Sequence, residues 1–398
     1  MKNIIIMDLG SRLNSIGGQA RMASVLFRGL KKNFNTFYLG YETDYIKKEK
    51  NAIILERGKK LNANLRKNPL SETWIMRIAY NFVIVRHMLG INPQDIYKKL
   101  LKIHPSAIIA NSINDITLLK YLRKKGMDFK CIYIDHGSIS TTLKGYFSKE
   151  SIPLTIGSGV NACCLNSTLK KFFGFFDVNI ALNSVEEKSI SKHKGKVEKI
   201  YNGLDIKVKS NKLEEEKLRK KFEIKKGDFV ILYLGRMFER QKNISLLINA
   251  FKSINNDNMH LILAGDGPSM QDYKILANGD SRISFTGHVY DETINLLYNI
   301  SNLFVLPSNW EAFSLVVLEA AAHSLPILLS ENIALPEFGK EARFNPRDAN
   351  DLRKKIMEIY KNKKARERLI KISKIISKKY TEKNMLAQYS KLIKRLTK

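Results

Sequence analysis

Short apolar runs alternate with amphipathic stretches along the whole chain. Apolar runs that end in glycine or a polar residue are typical of buried strands, and apolar positions that recur every three or four residues are typical of helices. Because the two kinds of segment alternate, the first half is predicted to form a parallel, doubly wound sheet. Its predicted strands are KNIIIMDLG (2–10), FNTFYLGY (34–41), NAIILE (51–56), SAIIANS (106–112) and FKCIYIDHG (129–137).

The same pattern restarts after a turn at Asn202-Gly203 and a charged helix at 212–222. The sequence therefore predicts an α/β protein with two Rossmann-like domains, 1–200 and 201–380, followed by a helix at 381–398. The predicted strands of the second domain are contained in DFVILYLGR (228–236), HLILAGDGP (260–268), ISFTGHV (283–289), LFVLPS (303–308) and PILLS (326–330).

Neither a membrane span nor a secretory signal is indicated. The apolar stretch 73–91 is interrupted by Arg77, Asn81, Arg86 and His87, and the start of the chain is predicted to be a strand. Three cysteines, with no zinc-site spacing, favour a reduced cytoplasmic setting. They are Cys131, Cys163 and Cys164.

The formal net charge of +30 is unevenly distributed. Residues 1–200 carry +18, residues 201–352 carry −2 and residues 353–398 carry +14. A composition rich in Lys, Asn and Ile, as in AT-biased coding sequences, accounts for the size of the charge but not for its distribution. The basic regions favour phosphates, an anionic membrane or nucleic acid as partners. No nucleic-acid-binding motif is present, which makes that partner the weakest of the three.

Two glutamates, Glu311 and Glu319, lie eight residues apart in PSNWEAFSLVVLEAAAHSLPILLS (307–330). Buried acids are costly unless something binds them. Ser314 between them is a favourable N-cap residue, so the backbone N–H groups that follow it form a candidate anion site. In the alternative interpretation, Glu311 only favours the helix dipole and Glu319 lies on the exposed face of the helix.

Four motifs, in this order and spacing over roughly 200–340, resemble the GT4-type retaining glycosyltransferases of the GT-B fold. The first domain resembles that family more loosely, through the early Gly-Gly loop, IDHG (134–137) and YNGLD (201–205). The four motifs are LGRMFERQKN (234–243), AGDGP (264–268), ISFTGHVYDE (283–292) and LPSNWEAFSLVVLEAAAHSLPIL (306–328).

The resemblance implies a donor site for a nucleotide-sugar in the second domain. It assigns the ribose diol to Glu319 and the sugar hydroxyls to Glu311. Arg236 and Lys242 would neutralise the leaving diphosphate, and no Asp-x-Asp metal motif is seen, so no metal and no cofactor are expected. The remaining donor-binding candidates are the backbone around Phe313, Ser314 and Leu315, together with Gly265 and His288.

The resemblance implies that the first domain binds the acceptor. It places His136 near the reacting sugar, and Gly17 and Gly18 would let the backbone approach the phosphate or the acceptor. Family members also have a C-terminal helix that crosses back to the first domain, as predicted here for 381–398.

The chain departs from the family pattern at several places. Many relatives have Gly-Phe-Gly where this chain has Ala312-Phe313-Ser314, and a frequent Gly is replaced by Ser324. Ile333-Ala334 replaces a Gly pair, and Gly18-Gln19-Ala20 lacks the common acid. Because non-Gly residues resist positive φ, the phosphate loop is expected to be shaped differently.

The sequence thus predicts a retaining, metal-independent glycosyltransferase that uses a nucleotide-sugar, UDP-linked by expectation, and a surface-glycan or lipid-linked acceptor. It is expected to be cytoplasmic, with peripheral association to the inner face of the membrane. A nucleotide-sugar 2-epimerase of the same architecture is the alternative enzyme. A dinucleotide enzyme is a weaker alternative, based on GSGVNA (157–162) and Asp177.

Overall fold

A computed structural model of the chain describes residues 1–10, 17–43, 45–46, 49–55, 92–113, 115–137, 167 and 169–398, and the structural statements below concern these residues. They form two compact units, Met1–Ile200 together with Leu386–Lys398, and Tyr201–Met385. The chain thus passes between the units after Ile200 and again after Met385, whereas the sequence places the second boundary after residue 380.

The first unit is built on a seven-stranded parallel sheet in the order β3-β2-β1-β4-β5-β6-β7. Its strands are β1 (Asn3–Asp8), β2 (Asn35–Gly40), β3 (Ala52–Ile54), β4 (Ala107–Ala110), β5 (Lys130–Asp135), β6 (Val178–Ala181) and β7 (Val197–Lys199). Its helices, as far as they are described, include α1 (Gly18–Gly29), α2 (Pro93–Ile103), α3 (Asp115–Lys124) and α4 (Ser184–Lys192), and a 3₁₀ turn spans Leu30–Lys32.

The local signals in the sequence explain these elements. β4 and β6 are buried along their whole length, which is typical of parallel strands covered on both faces. α2 begins at Pro93, and the Asn92 side chain accepts a hydrogen bond from the Gln94 N–H at 3.0 Å, an arrangement that Asn before Pro favours. The sheet order reverses between β1 and β4, so the carboxyl ends of these strands flank a switch point where open α/β sheets bind ligands.

The second unit is a six-stranded parallel sheet in the order β10-β9-β8-β11-β12-β13. Its strands are β8 (Phe229–Leu234), β9 (Met259–Ala264), β10 (Ile283–Gly287), β11 (Leu303–Leu306), β12 (Ile327–Ser330) and β13 (Arg343–Phe344). Its helices are α5 (Lys212–Lys221), α6 (Glu239–Lys242), α7 (Ile244–Lys252), α8 (Met270–Ala277), α9 (Asp291–Ile300), α10 (Leu315–Ala322), α11 (Ala349–Lys361) and α12 (Lys363–Lys379), with a 3₁₀ turn at Lys340–Ala342.

The last helix, α13 (Glu382–Leu396), packs its C-terminal part on the first unit. The Leu386 side chain lies against Gly29, and the Asn33 amide donates to Ser390 Oγ at 3.1 Å. The apolar residues of this helix lie on one face, and most of them are buried. The buried members are Met385, Tyr389, Leu392 and Ile393.

Among the helices that the structure describes, none has the length and apolarity needed to cross a membrane. The apolar stretch 73–91 lies outside the described residues. So do Cys163 and Cys164. Cys131 is buried in β5, and burial raises the pKa of its thiol, so this cysteine is an inert core residue.

Candidate active site

Glycines form the carboxyl edge of the second sheet, where Gly265 was predicted to bind the donor. Gly265 has φ +125°, and a Cβ atom there would lie 2.0 Å from the Gly235 carbonyl oxygen. Its N–H donates to the Gly287 carbonyl at 3.0 Å. Only glycine allows this approach, which draws the ends of β8, β9 and β10 together. The edge is therefore a closely packed backbone platform.

A short helix after β8 is fixed by one half-buried acid. Glu239 opens α6, and its Oε2 accepts from the Tyr273 hydroxyl at 2.8 Å and from the Ser245 N–H at 3.2 Å. α6 ends at Asn243, which has φ +51° and donates from its amide to the Pro346 carbonyl at 2.9 Å. Lys242, the last residue of α6, is thereby held at a defined place.

Lys242 and Glu311, which the sequence proposed for separate roles, are in contact. Lys242 Nζ lies 2.5 Å from Glu311 Oε1, and the Ser308 hydroxyl donates to the same oxygen at 2.7 Å. The two charged side chains are only 13% and 9% exposed. Such an ion pair is weakly screened by water and by salt. The structure thus places a poised cation and anion together at the end of β11.

Backbone contacts keep the two segments of this ion pair in register. The Asn309 N–H donates to the Gln241 carbonyl at 2.8 Å, and the Asn309 amide donates to the Arg240 carbonyl at 3.1 Å. The Gln241 amide reaches the Trp310 carbonyl at 3.4 Å. Three hydrogen bonds therefore connect α6 to the loop after β11. The contact between Lys242 and Glu311 is thus fixed by the surrounding structure and is not a chance pairing of two surface charges.

Arg236 occupies a different environment from Lys242. Its side chain is exposed, with the guanidinium 5.6 Å from the Phe238 ring. Its backbone is fixed, because its carbonyl accepts from the Tyr233 hydroxyl at 3.0 Å. Among the described residues, no hydrogen bond or ion pair joins Arg236 to the pair formed by Lys242 and Glu311. Because the guanidinium is exposed and the backbone of its loop is fixed, the Arg236 side chain can turn towards an anion without a change in the backbone.

Glu319 is buried in α10 rather than on its exposed face, so the alternative interpretation of this residue is wrong. It is 7% exposed, and its Oε2 accepts from the Tyr298 hydroxyl at 3.0 Å. The Tyr298 ring stacks on His323 with centroids 4.9 Å apart. Burying a carboxylate more than one turn inside a helix costs free energy unless a partner binds it. The burial of Glu319 therefore favours a ligand-binding role.

The N-terminus of α10 carries three predicted donor-binding residues. Ser314 is the N-cap residue with φ −86° and ψ 108°, and Phe313 and Leu315 flank it, all three buried. The predicted N-cap position of Ser314 is confirmed, although its side chain makes no cap hydrogen bond in the described structure. The φ of Ser314 also shows that this position needs no glycine. The first N–H groups of α10 have no partner inside the helix and remain suited to an anion.

The other predicted donor residue of this unit, His288, is exposed after β10. Its ring meets the Tyr290 ring edge to face, with centroids 4.9 Å apart. The pair forms an aromatic surface on the solvent side of the loop. No further site residue is seen in contact with His288 in the described part of the chain.

In the first unit, His136 follows β5 and is held by a chain of amides. Its Nε2 lies 2.8 Å from Asn111 Oδ1, and the Asn111 amide donates to the Gln19 carbonyl at 3.1 Å. Since Asn111 Oδ1 must accept, Nε2 carries the proton and Nδ1 is left as an acceptor. Burial lowers the pKa of His136 to about 4. The ring is therefore neutral at pH 7 with a defined tautomer.

Gly17 and Gly18 begin α1, close to this histidine's amide chain. Gly17 is the N-cap residue, and its carbonyl accepts from the Arg21 N–H at 3.1 Å. Gln19, the next residue, donates from its side chain to Asp8 Oδ1 at 2.9 Å. The loop that precedes Gly17 lies outside the described residues, so its predicted role stays a prediction.

Buried carboxyl groups at the strand ends of the first unit were missed by the sequence reasoning. Asp115 accepts from the Leu9 and Ser112 N–H groups at 2.8 and 2.9 Å, yet burial and the neighbouring Asp8 raise its pKa. Burial and Asp135 likewise raise the pKa of Glu186. The signal available in the sequence was the pair of strands that each end in Asp, at positions 8 and 135. These groups favour the neutral, proton-donating form.

Asp177, proposed for a dinucleotide ribose, has a structural partner instead. It accepts from Arg123 Nη2 at 2.9 Å and from the Cys131 N–H at 2.8 Å. The glycine-rich segment 157–162 lies outside the described residues. Within the described ranges, no group of three or more His, Cys, Asp or Glu side chains is arranged to hold a metal ion. Metal independence stays a prediction.

Comparison with known proteins identifies the second unit. The sequence model of the family described as "Glycosyl transferases group 1" matches residues 214–375. The alpha-monoglucosyldiacylglycerol synthase of Streptococcus pneumoniae is 29% identical over 177 residues, which are 41% of this chain and 40% of that protein. The chain thus spans about two fifths of the length of the curated relatives it matches.

Solved structures extend the likeness to both units. Sucrose-phosphate synthase from Thermosynechococcus elongatus superposes with a TM-score of 0.77 at 19% identity, covering 100% of this chain and 99% of that one. HepE of Anabaena, in complex with UDP-glucose, has a TM-score of 0.72 at 16% identity, covering 99% and 100%. The second unit is therefore similar in sequence to the glycosyl transferases group 1 family, and the chain as a whole has the GT-B fold of two Rossmann-like domains.

Proposed function

We propose that this protein is a retaining glycosyltransferase that moves a sugar from a UDP-linked donor to a surface-glycan or lipid-linked acceptor. The observation that carries the proposal is the contact of Lys242 with Glu311 beside the N-terminus of α10, which also contains the buried Glu319. A cation, a helix N-terminus and two acids are the groups that a diphosphate, a ribose and a sugar require.

In this proposal, the donor replaces the internal partners of these residues. Lys242 turns from Glu311 to the diphosphate, which frees the Glu311 carboxylate to accept hydrogen bonds from the sugar hydroxyls. Glu319 binds the ribose diol, helped by the Tyr298 hydroxyl on its Oε2. The UDP-glucose bound to HepE supports a UDP-linked donor, since the two chains share a fold.

The charge that develops on the leaving diphosphate is met by protein groups. Arg236, Lys242 and the first N–H groups of α10 supply fixed positive charge, so no metal or cofactor is invoked. The bond between the anomeric carbon and the diphosphate oxygen breaks, and a bond to the acceptor oxygen forms on the same face. The acceptor proton passes to the released phosphate oxygen.

The first unit is proposed to bind the acceptor, with Gly17 and Gly18 giving backbone access. The neutral His136 ring offers its Nδ1 lone pair to a sugar or acceptor hydroxyl. A lipid-linked acceptor is supported by the S. pneumoniae relative, whose name states a glucosyldiacylglycerol product. The basic flanks of the sequence support a cytoplasmic protein that associates peripherally with an anionic membrane.

A nucleotide-sugar 2-epimerase is the second candidate, and one observation favours it. Epimerisation needs a proton to be removed from a carbon atom and returned to it, and the first unit holds buried carboxyl groups that could take part in such a transfer, including Asp8, Asp135 and Glu186. Against it stands the Lys242–Glu311 contact, which a leaving-group site explains directly.

A panel of nucleotides and nucleotide-sugars in a thermal-shift assay tests the donor, because a ligand at a hundred times its Kd stabilises the folded state by about 2.7 kcal/mol. Release of UDP in the presence of glycan and lipid-linked acceptors then tests transfer. Deuterium incorporation at C2 of the sugar in D₂O, without an acceptor, would establish the epimerase instead. No stabilisation by any nucleotide-sugar would overturn both.

A further inference from the structure

Three aromatic rings form a closed cluster directly behind the N-terminus of α10. The ring centroids of Tyr201 and Phe313 are 5.9 Å apart, those of Tyr201 and Tyr380 5.2 Å, and those of Phe313 and Tyr380 5.4 Å. Phe313 and Tyr380 are 9% and 4% exposed. Edge-to-face and tilted contacts at these distances are favourable and directional. Phe313 therefore has a defined orientation, which it owes to residues far away in sequence.

Tyr380 is itself held from the other side by an acid. Its hydroxyl donates to Glu337 Oε1 at 2.6 Å, and Lys379 Nζ lies 2.6 Å from the same oxygen. Despite the burial that opposes ionisation, these hydrogen bonds lower the pKa of Glu337, so the carboxylate stays charged. A charge-assisted hydrogen bond of this length is stronger than a neutral one. The Tyr380 ring is thus held at both its hydroxyl and its face.

The backbone around Tyr380 is equally constrained. Its carbonyl accepts from the Leu204 N–H at 3.1 Å, and its N–H donates to the Ile376 carbonyl at the end of α12. A Cβ atom on Gly203 would lie 2.1 Å from the Thr381 carbonyl oxygen, so glycine is needed for this approach. Residues 203–204 and 380–381 therefore form one tightly packed junction beneath the aromatic cluster.

We propose that Tyr380 is a positioning residue for the donor: its ring holds the turn at Phe313 and Ser314 so that the first N–H groups of α10 face the diphosphate. This inference rests on the proposed function of the same site. The inference also explains why the chain can have Ala312 and Ser314 where many relatives have glycines on either side of the phenylalanine. Here the turn is oriented by an aromatic cluster rather than by flexible backbone.

The test compares Tyr380→Leu with Tyr380→Phe and with Tyr360→Leu. The Leu variant removes the ring, the Phe variant keeps it without the hydroxyl, and Tyr360→Leu removes a similar edge-to-face contact, with Phe229 at 5.3 Å. We expect Tyr380→Leu to raise the donor KM roughly tenfold, with kcat at saturating donor within about twofold of wild type. Tyr380→Phe should stay within about threefold in KM, and Tyr360→Leu should lower Tm without changing KM.

Tyr201→Leu provides a second ring deletion if Tyr380→Leu does not fold, and it should raise the donor KM in the same direction. An unchanged donor KM in the folded ring-deletion variant, together with a lowered Tm, would reduce the cluster to a structural role and overturn the inference. A wild-type protein that neither binds nor turns over any nucleotide-sugar would instead overturn the proposed function, so the two failures are distinguishable.

Discussion

Because Lys242 and Glu311 are in contact, we predict that substitutions at these two residues affect stability and activity differently. In Lys242→Met a partly buried carboxylate loses its cation, and in Glu311→Gln the ammonium loses its anion. Because both side chains are largely buried, we expect each single variant to lose about 3 kcal/mol of unfolding free energy. The double variant leaves no uncompensated charge, so it should recover a substantial part of that loss.

For a unit of this size each 1 kcal/mol shifts Tm by about 2–4 °C, so each single variant should melt about 6–12 °C lower. Two single losses of about 3 kcal/mol would sum to about 6 kcal/mol, so a double variant that is more stable than either single variant requires a coupling energy above about 3 kcal/mol. Differential scanning fluorimetry of the four proteins measures it, and a Ser308→Ala variant tests the remaining hydrogen bond to Glu311 Oε1.

Transfer activity should not follow the same pattern. Loss of one group that stabilises the leaving diphosphate costs roughly a hundredfold to a thousandfold in kcat. Lys242→Met should therefore be nearly inactive, and the double variant should stay inactive although its Tm recovers. Additive Tm losses would show that the contact has no energetic weight, and wild-type kcat in Lys242→Met would refute its role towards the leaving group.

The other expected outcomes concern the donor, the metal, the pH dependence and a helix end. Glu319→Ala should raise the donor KM roughly tenfold to a hundredfold, because charged hydrogen bonds to the ribose are lost; unchanged donor saturation would exclude that role. Transfer should survive EDTA, and loss that Mn²⁺ or Mg²⁺ restores would contradict the leaving-group assignment. The pKa of His136 in the folded protein, about 4, lies below its ordinary value of 6.5. The contribution of this residue to the unfolding free energy is therefore fully present above about pH 6.5 and falls by about 3 kcal/mol as the pH drops towards 4. The Tm of a His136→Gln variant should vary less over this pH range. Ser324 has φ +56° at the end of α10, so Ser324→Gly should raise the unfolding free energy by about 1 kcal/mol, whereas a lower value by urea titration would show that its side chain is needed.

The fold was predictable because its determinants are local. Buried parallel strands read as continuous apolar runs, so β8 and β9 are visible without any knowledge of their neighbours. Helix starts such as that at Asn92-Pro93 also follow from adjacent residues. The family motifs then indicated which strand ends carry ligand-binding groups.

The contacts inside the candidate site were not predictable in the same way. Lys242 and Glu311 are 69 residues apart, and Phe313 and Tyr380 are separated by a similar length of chain. Nothing in either segment specifies the other, so only the folded chain shows that they touch. The burial of Glu319 was equally hidden, because an acid in an apolar helix has the same sequence whether it faces a ligand or the solvent.

The N-cap position of Ser314 was predictable from local preference. Cap preference is a statistical property of the local backbone, and Ser314 does adopt the extended conformation of an N-cap. Its side chain makes no cap hydrogen bond in the described structure, a detail that the local sequence does not indicate.

The two units differ in the kind of polarity that they keep at their strand ends, and this difference supports the proposed division of labour. The second unit brings together a lysine, two glutamates and a helix N-terminus, which are groups that suit a diphosphate and its sugar. The first unit favours neutral groups, because burial lowers the pKa of His136 and raises the pKa of Asp115 and Glu186. Neutral hydrogen-bonding groups can orient an uncharged acceptor hydroxyl, and they do not attract the charged nucleotide-sugar to the first unit. A nucleophilic acceptor hydroxyl is such a group, whereas a nucleotide would gain little there.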